Sequence, residues 1–208
     1  MTASPARRGR PATVSADHLA DVALQLWDQH GFDDVALGDI AREAGVTART
    51  LLRYFPSKVD IVWHPLASSI GDLADHLAGT PAGETIATRV RLGVLGSLAD
   101  VQDHDATRLR LKVISRTPSL HANTSGPFVA WRSIIRDFVT TERGLPAPDL
   151  SAEAFAAAVQ ATTMAALTWW AGHPDRTPIA LVDRTLRELE SGFTGTTIPL
   201  PANGRVGG

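Results

Sequence analysis

The chain has 208 residues, 44% of them hydrophobic, and a formal net charge of −2. That length and apolar content are enough for a buried core and exclude global disorder. With no cysteine present, disulfides, thiolate metal sites and cysteine nucleophiles are excluded, and a reducing, cytoplasmic setting is expected.

Residues 1–14 are expected to form a disordered basic arm. They carry Arg7, Arg8 and Arg10, and no apolar run of the kind a secretion signal needs follows them. Ser15 can cap a first helix, in which Leu19, Val22, Ala23, Leu26 and Trp27 recur at helical spacing before Gly31 ends it. Leu37, Ile40, Ala41 and Ala44 mark a short second helix closed by Gly45. Thr47 is placed to cap a third, with Thr50, Leu51, Tyr54 and Phe55 in period, and Pro56 stops it. Ser57 caps a fourth helix running through Val59, Val62, Trp63, Leu66, Ile70, Leu73 and Leu77. Pro65 lies inside it and predicts a kink near Trp63–Leu66, or a break into two pieces.

Further helices are expected from Glu84 to Asp103, with Gly93 and Gly96 as weak points, and from Ala106 to Arg116. After Gly126-Pro127, the residues Phe128, Trp131, Ile134, Ile135 and Phe138 predict another, ending near Gly144. Ser151 can cap a long Ala-rich helix to about Ala171. Its least charged stretch, Phe155–His173, reads as a buried or interface helix rather than a membrane span, because it is rich in Ala and Thr and carries Gln160. Ile179, Val182, Leu186, Leu189 and Phe193 form the last helix, and 195–208 are a Pro/Gly tail expected to be disordered. No segment alternates with period two, so the fold class is all-α.

Residues 36–55 carry the functional signal. A helix ends at Gly45, Val46-Thr47 turn the chain, and a second helix begins at once: the spacing of a helix-turn-helix. Ile40, Ala41, Ala44, Val46 and Leu51 would fix the angle between the two helices, leaving Thr47, Ala48, Arg49 and Thr50 exposed at an N-terminal end that also attracts phosphate. Residues 40–58 carry a net charge of +3 and the arm another +3, so the rest of the chain carries −8. The near-neutral total conceals a cationic end joined to an acidic remainder, as a DNA-reading module requires.

Gly31-Phe32, Asp39-Ile40-Ala41-Arg42-Glu43-Ala44-Gly45-Val46-Thr47 and Thr50-Leu51-Leu52-Arg53-Tyr54-Phe55-Pro56-Ser57-Lys58 resemble the N-terminal domain of TetR/AcrR-family transcriptional regulators. The resemblance implies a three-helix DNA-binding domain over residues 15–60 and a C-terminal helical bundle over 61–194 for dimerisation and ligand binding. It implies that Thr47, Ala48, Arg49 and Thr50 lie over bases, with Arg49 suited to guanine. Arg53, Tyr54 and Lys58 would accompany them on the backbone, and the arm arginines would reach phosphates or the minor groove. Two positions depart from the family pattern: Ala36 stands where threonine is frequent, and Leu52 where an aromatic is.

In the remainder, Trp63, Trp131, Trp169 and Trp170 are either core or the lining of an effector pocket, joined by Phe128, Phe155 and Met164. Arg110 and Lys112 are expected either to supply a charge to an anionic effector or, in preference, to form a salt bridge. A lipophilic or aromatic effector of unknown identity is expected, with no cofactor, metal or membrane partner. His64 and His76 are too far apart on one helix to share a metal, and no HExxH pattern occurs. One helix-turn-helix reads few bases, so a homodimer is expected, through 151–171 and 178–194, where Ala156–Ala166 allow close approach. The leading reading is a repressor released from a pseudo-palindromic operator by a small molecule. The alternatives are a DNA-binding regulator without such an effector, and a small helical enzyme or carrier, for which no catalytic constellation is present.

Overall fold

The computed structural model describes residues 15–99, 104–121, 126–173 and 175–192, without the side chains of 65–71, 121, 126 and 127. The arm with Arg7, Arg8 and Arg10, the tail beyond Gly192 and Phe193 lie outside the described residues. Every regular element among the described residues is a helix.

α1 (Ala16–His30) starts where the Ser15 hydroxyl accepts the His18 N–H at 3.1 Å, and ends at Gly31, whose φ of +91° suits a residue without a side chain. Leu19, Ala23 and Trp27 on one face are buried. α2 (Leu37–Glu43) has alanine, which lacks a capping oxygen, at its N-cap. The Asp39 carboxylate compensates by accepting the Ala36 N–H at 3.0 Å. At the other end the Val46 N–H reaches the Ala41 carbonyl at 2.9 Å and Gly45 N–H that of Arg42 at 3.1 Å, with Gly45 at φ +66°. This paired closure turns the chain directly into α3 (Ala48–Tyr54).

α4 (Lys58–Ala78) opens with a reciprocal Ser57–Asp60 capping box and runs through Pro65 as one helix. Of the two expected outcomes, kink or break, the break into two pieces is not made: proline removes one backbone bond, and the rest of the ladder carries the helix on. α5 (Ile86–Ala99) packs on α4 more extensively than any other pair of helices. Gly93 and Gly96 lie on that seam. A Cβ on Gly93 would come within 2.6 Å of Leu77 Cδ2, and one on Gly96 within 2.5 Å of the His76 ring. They are points of close approach, not the weak points expected from helix propensity alone.

α6 (His104–Arg116), the short α7 (Pro118–His121) and α8 (Gly126–Glu142) follow. α9 (Leu150–Ala171) is capped by Asp149, whose carboxylate accepts the Ala152 N–H at 2.9 Å. The expected cap, Ser151, instead donates its hydroxyl to Asp149 at 2.5 Å. α9 is long and apolar enough to cross a membrane by composition, but Ala152, Ala156, Val159, Ala166 and Trp170 are buried in packing against α6, α8 and α10. α10 (Pro178–Glu190) stops four residues short of the expected boundary, capped by Ser191 with Gly192 at φ +70°.

Two buried arginines tie the bundle together. Arg89 joins α5 to Glu142 on α8, and Arg91 reaches Asp183 at 2.5 Å and Glu190 at 3.1 Å on α10. Each is desolvated and ion-paired with a carboxylate, the arrangement in which a buried charge is tolerated. α1 packs against both α4 and α6, so the N-terminal helices rest directly on the bundle.

Candidate DNA interface and effector cavity

The reading head is built outward from Leu51. That side chain is fully buried, together with Ile40 and Ala41 of α2, and this fixes the rotation of α3. Thr47, Ala48, Arg49, Leu52 and Arg53 are then exposed, and Thr50 and Tyr54 half-buried. Thr47 also works within the helix: its hydroxyl accepts the Thr50 N–H at 3.1 Å and bonds the Thr50 hydroxyl at 2.9 Å. Much of the hydroxyl capacity at this end is spent internally, which leaves Arg49 as the long polar side chain of the first turn. Arg53 sits 5.4 Å from the Tyr54 ring.

Lys58 is placed differently from a free surface lysine. Its ammonium donates to the carbonyls of Phe32 at 2.6 Å and Val35 at 3.1 Å, and lies 4.5 Å from the Phe32 ring. It clamps the loop between α1 and α2, and a third donor remains.

A cavity of about 720 Å³ opens in the C-terminal bundle. Trp63 on α4 forms one wall, edge-on to Phe128 of α8 with ring centroids 4.5 Å apart. Ile114 and Leu120 come from α6 and α7, Val129 and Arg132 from α8. α9 contributes two rows at i, i+4 spacing: Ala157, Ala161, Ala165 and Trp169, and Gln160, Met164 and Thr168. The lining is mostly apolar with a few polar groups, the usual make-up of a small-molecule site. Gln160 spends its amide N–H on the Phe128 carbonyl at 2.7 Å, and Arg132 pairs with Glu153 at 3.1 Å.

Four of the expected pocket residues, Trp63, Phe128, Met164 and Trp169, do line this cavity. Trp169 is 46% exposed and stacks on His173. The other four do not. Trp170, about 100° further around the helix, points into the core instead, donating its indole N–H to the Arg176 carbonyl at 2.9 Å beneath the Arg108 guanidinium. Trp131 and Phe155 are half-buried against the core, and Arg110 is buried on α6. Among the described residues the cationic side chain of the cavity lining is Arg132, which sequence reasoning missed. Its position four residues after Phe128, on the same helix face, was the available signal.

The fold and the exposed α3 edge define a class: a helix-turn-helix DNA-binding protein whose reading head stands on an all-helical, cavity-bearing body. Residues 19–62 match the bacterial regulatory proteins of the tetR family, and residues 84–194 match the MftR C-terminal domain. The chain belongs to the tetR family of transcriptional regulators, which are DNA-binding proteins rather than enzymes. It is 31% identical over 165 residues to the protein named as the mycofactocin biosynthesis transcriptional regulator MftR of Mycobacterium tuberculosis, covering 79% of this chain and 83% of that one. Among solved structures, the fatty acid degradation regulator FadR of Bacillus halodurans superposes with a TM-score of 0.63 at 15% identity, over 89% of this chain and 99% of that one. Thermus thermophilus FadR, a repressor solved with lauroyl-CoA, gives 0.51 at 20% identity, over 90% of this chain and 99% of that one. These two likenesses are of fold.

Proposed function

We propose that the chain is a repressor that binds a pseudo-palindromic operator as a homodimer and leaves it when a lipophilic or aromatic small molecule enters the cavity. The outward-facing edge of α3, from Thr47 to Arg53, carries this reading. In it, Arg49 pairs with a guanine edge, and Thr50, Arg53 and Tyr54 make the adjacent contacts. Lys58 offers its remaining donor to phosphate while holding the loop behind it. The arm arginines Arg7, Arg8 and Arg10 add charge to the same end of the chain. Residues 15–60 act as the reading domain and 61–194 as the sensing and dimerisation domain, the latter through α9 and α10. Two heads about 34–36 Å apart would then reach successive major grooves.

Release follows from where α4 lies. Its first residue, Lys58, grips the reading domain, and Trp63, about 7.5 Å further along the helix axis, forms a wall of the cavity. A ligand that displaces Trp63 shifts the helix holding the head, and its differential affinity for the two head spacings sets the response. A second link runs beside it: Arg116 of α6 pairs with Asp28 of α1 at 3.0 Å, and Ile114 of α6 lines the cavity.

The test begins with full-length protein and selection from a randomised duplex library. A two-fold consensus is expected, with affinity that falls steeply as salt rises. Lauroyl-CoA, the ligand of the Thermus thermophilus neighbour, is a suitable first probe, followed by a panel of apolar and aromatic compounds. Displacement by any of them that is abolished by Trp63→Leu supports the reading. A consensus that no compound displaces leaves a regulator without a small-molecule effector, and no consensus refutes the reading outright.

A further inference from the structure

Leu52 is 47% exposed in the middle of α3, while its neighbour Leu51 is fully buried. Because Leu51 anchors the rotation of the helix, the outward direction of Leu52 is set by the core. At ~3.6 residues per turn, Leu52 lies one turn beyond Ala48 on the same face, and both are exposed. Together they make a short apolar strip. Arg49 and Arg53, each the next residue along, run beside it and are also exposed. Two guanidinium groups beside an apolar strip suit a polyanion that also presents an apolar feature, and disfavour a purely hydrophobic partner. In the major groove that feature is the C5-methyl group of thymine.

We propose that Ala48 and Leu52 form a thymine-methyl reading strip, which makes Leu52 a specificity-determining residue of operator recognition. The proposal rests on the DNA-binding reading above and adds to it what the apolar half of the face detects. The internal bonding of Thr47 and Thr50 leaves fewer hydroxyl groups for base readout, so discrimination is divided between Arg49, which favours guanine, and the strip, which favours thymine.

Replacing thymine by deoxyuridine removes the methyl group and nothing else, and this provides the test. With the selected consensus duplex and full-length protein, each thymine is replaced in turn. At one or two positions in each half-site, deoxyuridine should weaken binding about threefold to fivefold. Leu52→Ala should bind the thymine duplex correspondingly less well and show a smaller further loss with deoxyuridine, confined to a position read by Ala48, whereas Leu52→Met, still apolar and long, should keep the full sensitivity. Leu52 is exposed, so both variants should melt with the wild type. A methyl penalty that persists undiminished in Leu52→Ala, or no methyl-sensitive position at all, overturns the strip while leaving the DNA-binding reading intact. A library that yields no consensus overturns both.

Discussion

The reading head and the cavity are made by opposite means. The head is an arrangement of what protrudes: a glycine turn at Gly45, a buried Leu51 and a face of side chains directed outward by them. The cavity is an arrangement of what is missing. Ala157, Ala161 and Ala165 leave the volume that Trp63, Phe128 and Met164 surround. Damage should therefore be read differently in the two regions: as lost affinity with stability intact on the exposed face of the head, and as lost stability first in the bundle.

The most severe test of that difference is Trp63→Ala. Trp63 is 2% exposed, and truncation should cost about 3–5 kcal/mol of stability. For a chain of this size that corresponds to roughly 6–20 °C in Tm, measured by thermal denaturation. A drop of under about 2 °C would mean that this wall bears little of the packing and that the contrast is misplaced. Arg49→Ala comes next. It should lose about 1–3 kcal/mol of operator binding, with its Tm unchanged, as measured by gel shift beside a melt. Equal losses in both assays would erase the distinction between the regions.

The smallest effect lies at the α2 cap. The Ala36 N–H, and after it the Arg42 guanidinium, hold the Asp39 carboxyl below the usual carboxylate range. A carboxylate whose folded-state pKa is depressed contributes fully above its unfolded value of about 3.9, and that contribution fades as pH falls through the folded value. Asp39→Asn should accordingly be slightly less stable than wild type near neutrality, with the gap closing as melts are run from about pH 6 towards about pH 3. A gap independent of pH would show that the charge of Asp39 contributes nothing to the head.

The same contrast explains what the sequence revealed. The head was legible because its signals are local. Ser15, Thr47 and Ser57 cap as expected, Gly31 and Gly45 take the positive φ their positions imply, and Leu51 faces in where the period places it. The cap of α2 was less visible, since Ala36 offers no oxygen and the bond comes from Asp39, three residues on. The cavity was only half legible because it depends on which helices meet. Trp169 and Trp170 are adjacent in sequence, yet one faces the cavity and the other the core. Tryptophan content could not separate them, and alanines carry no mark of the space they leave. Gly93 and Gly96 were misread for the same reason, because their role depends on Leu77 and His76 across the seam.

That seam also governs how force travels. At Gly93 and Gly96 the bare backbone of α5 meets Leu77 and His76 directly, so at these two positions a displacement of α4 bears on α5. α5 in turn is bolted by Arg91 to Asp183 and Glu190. A displacement of α4 would therefore have a short, closely packed route to α10.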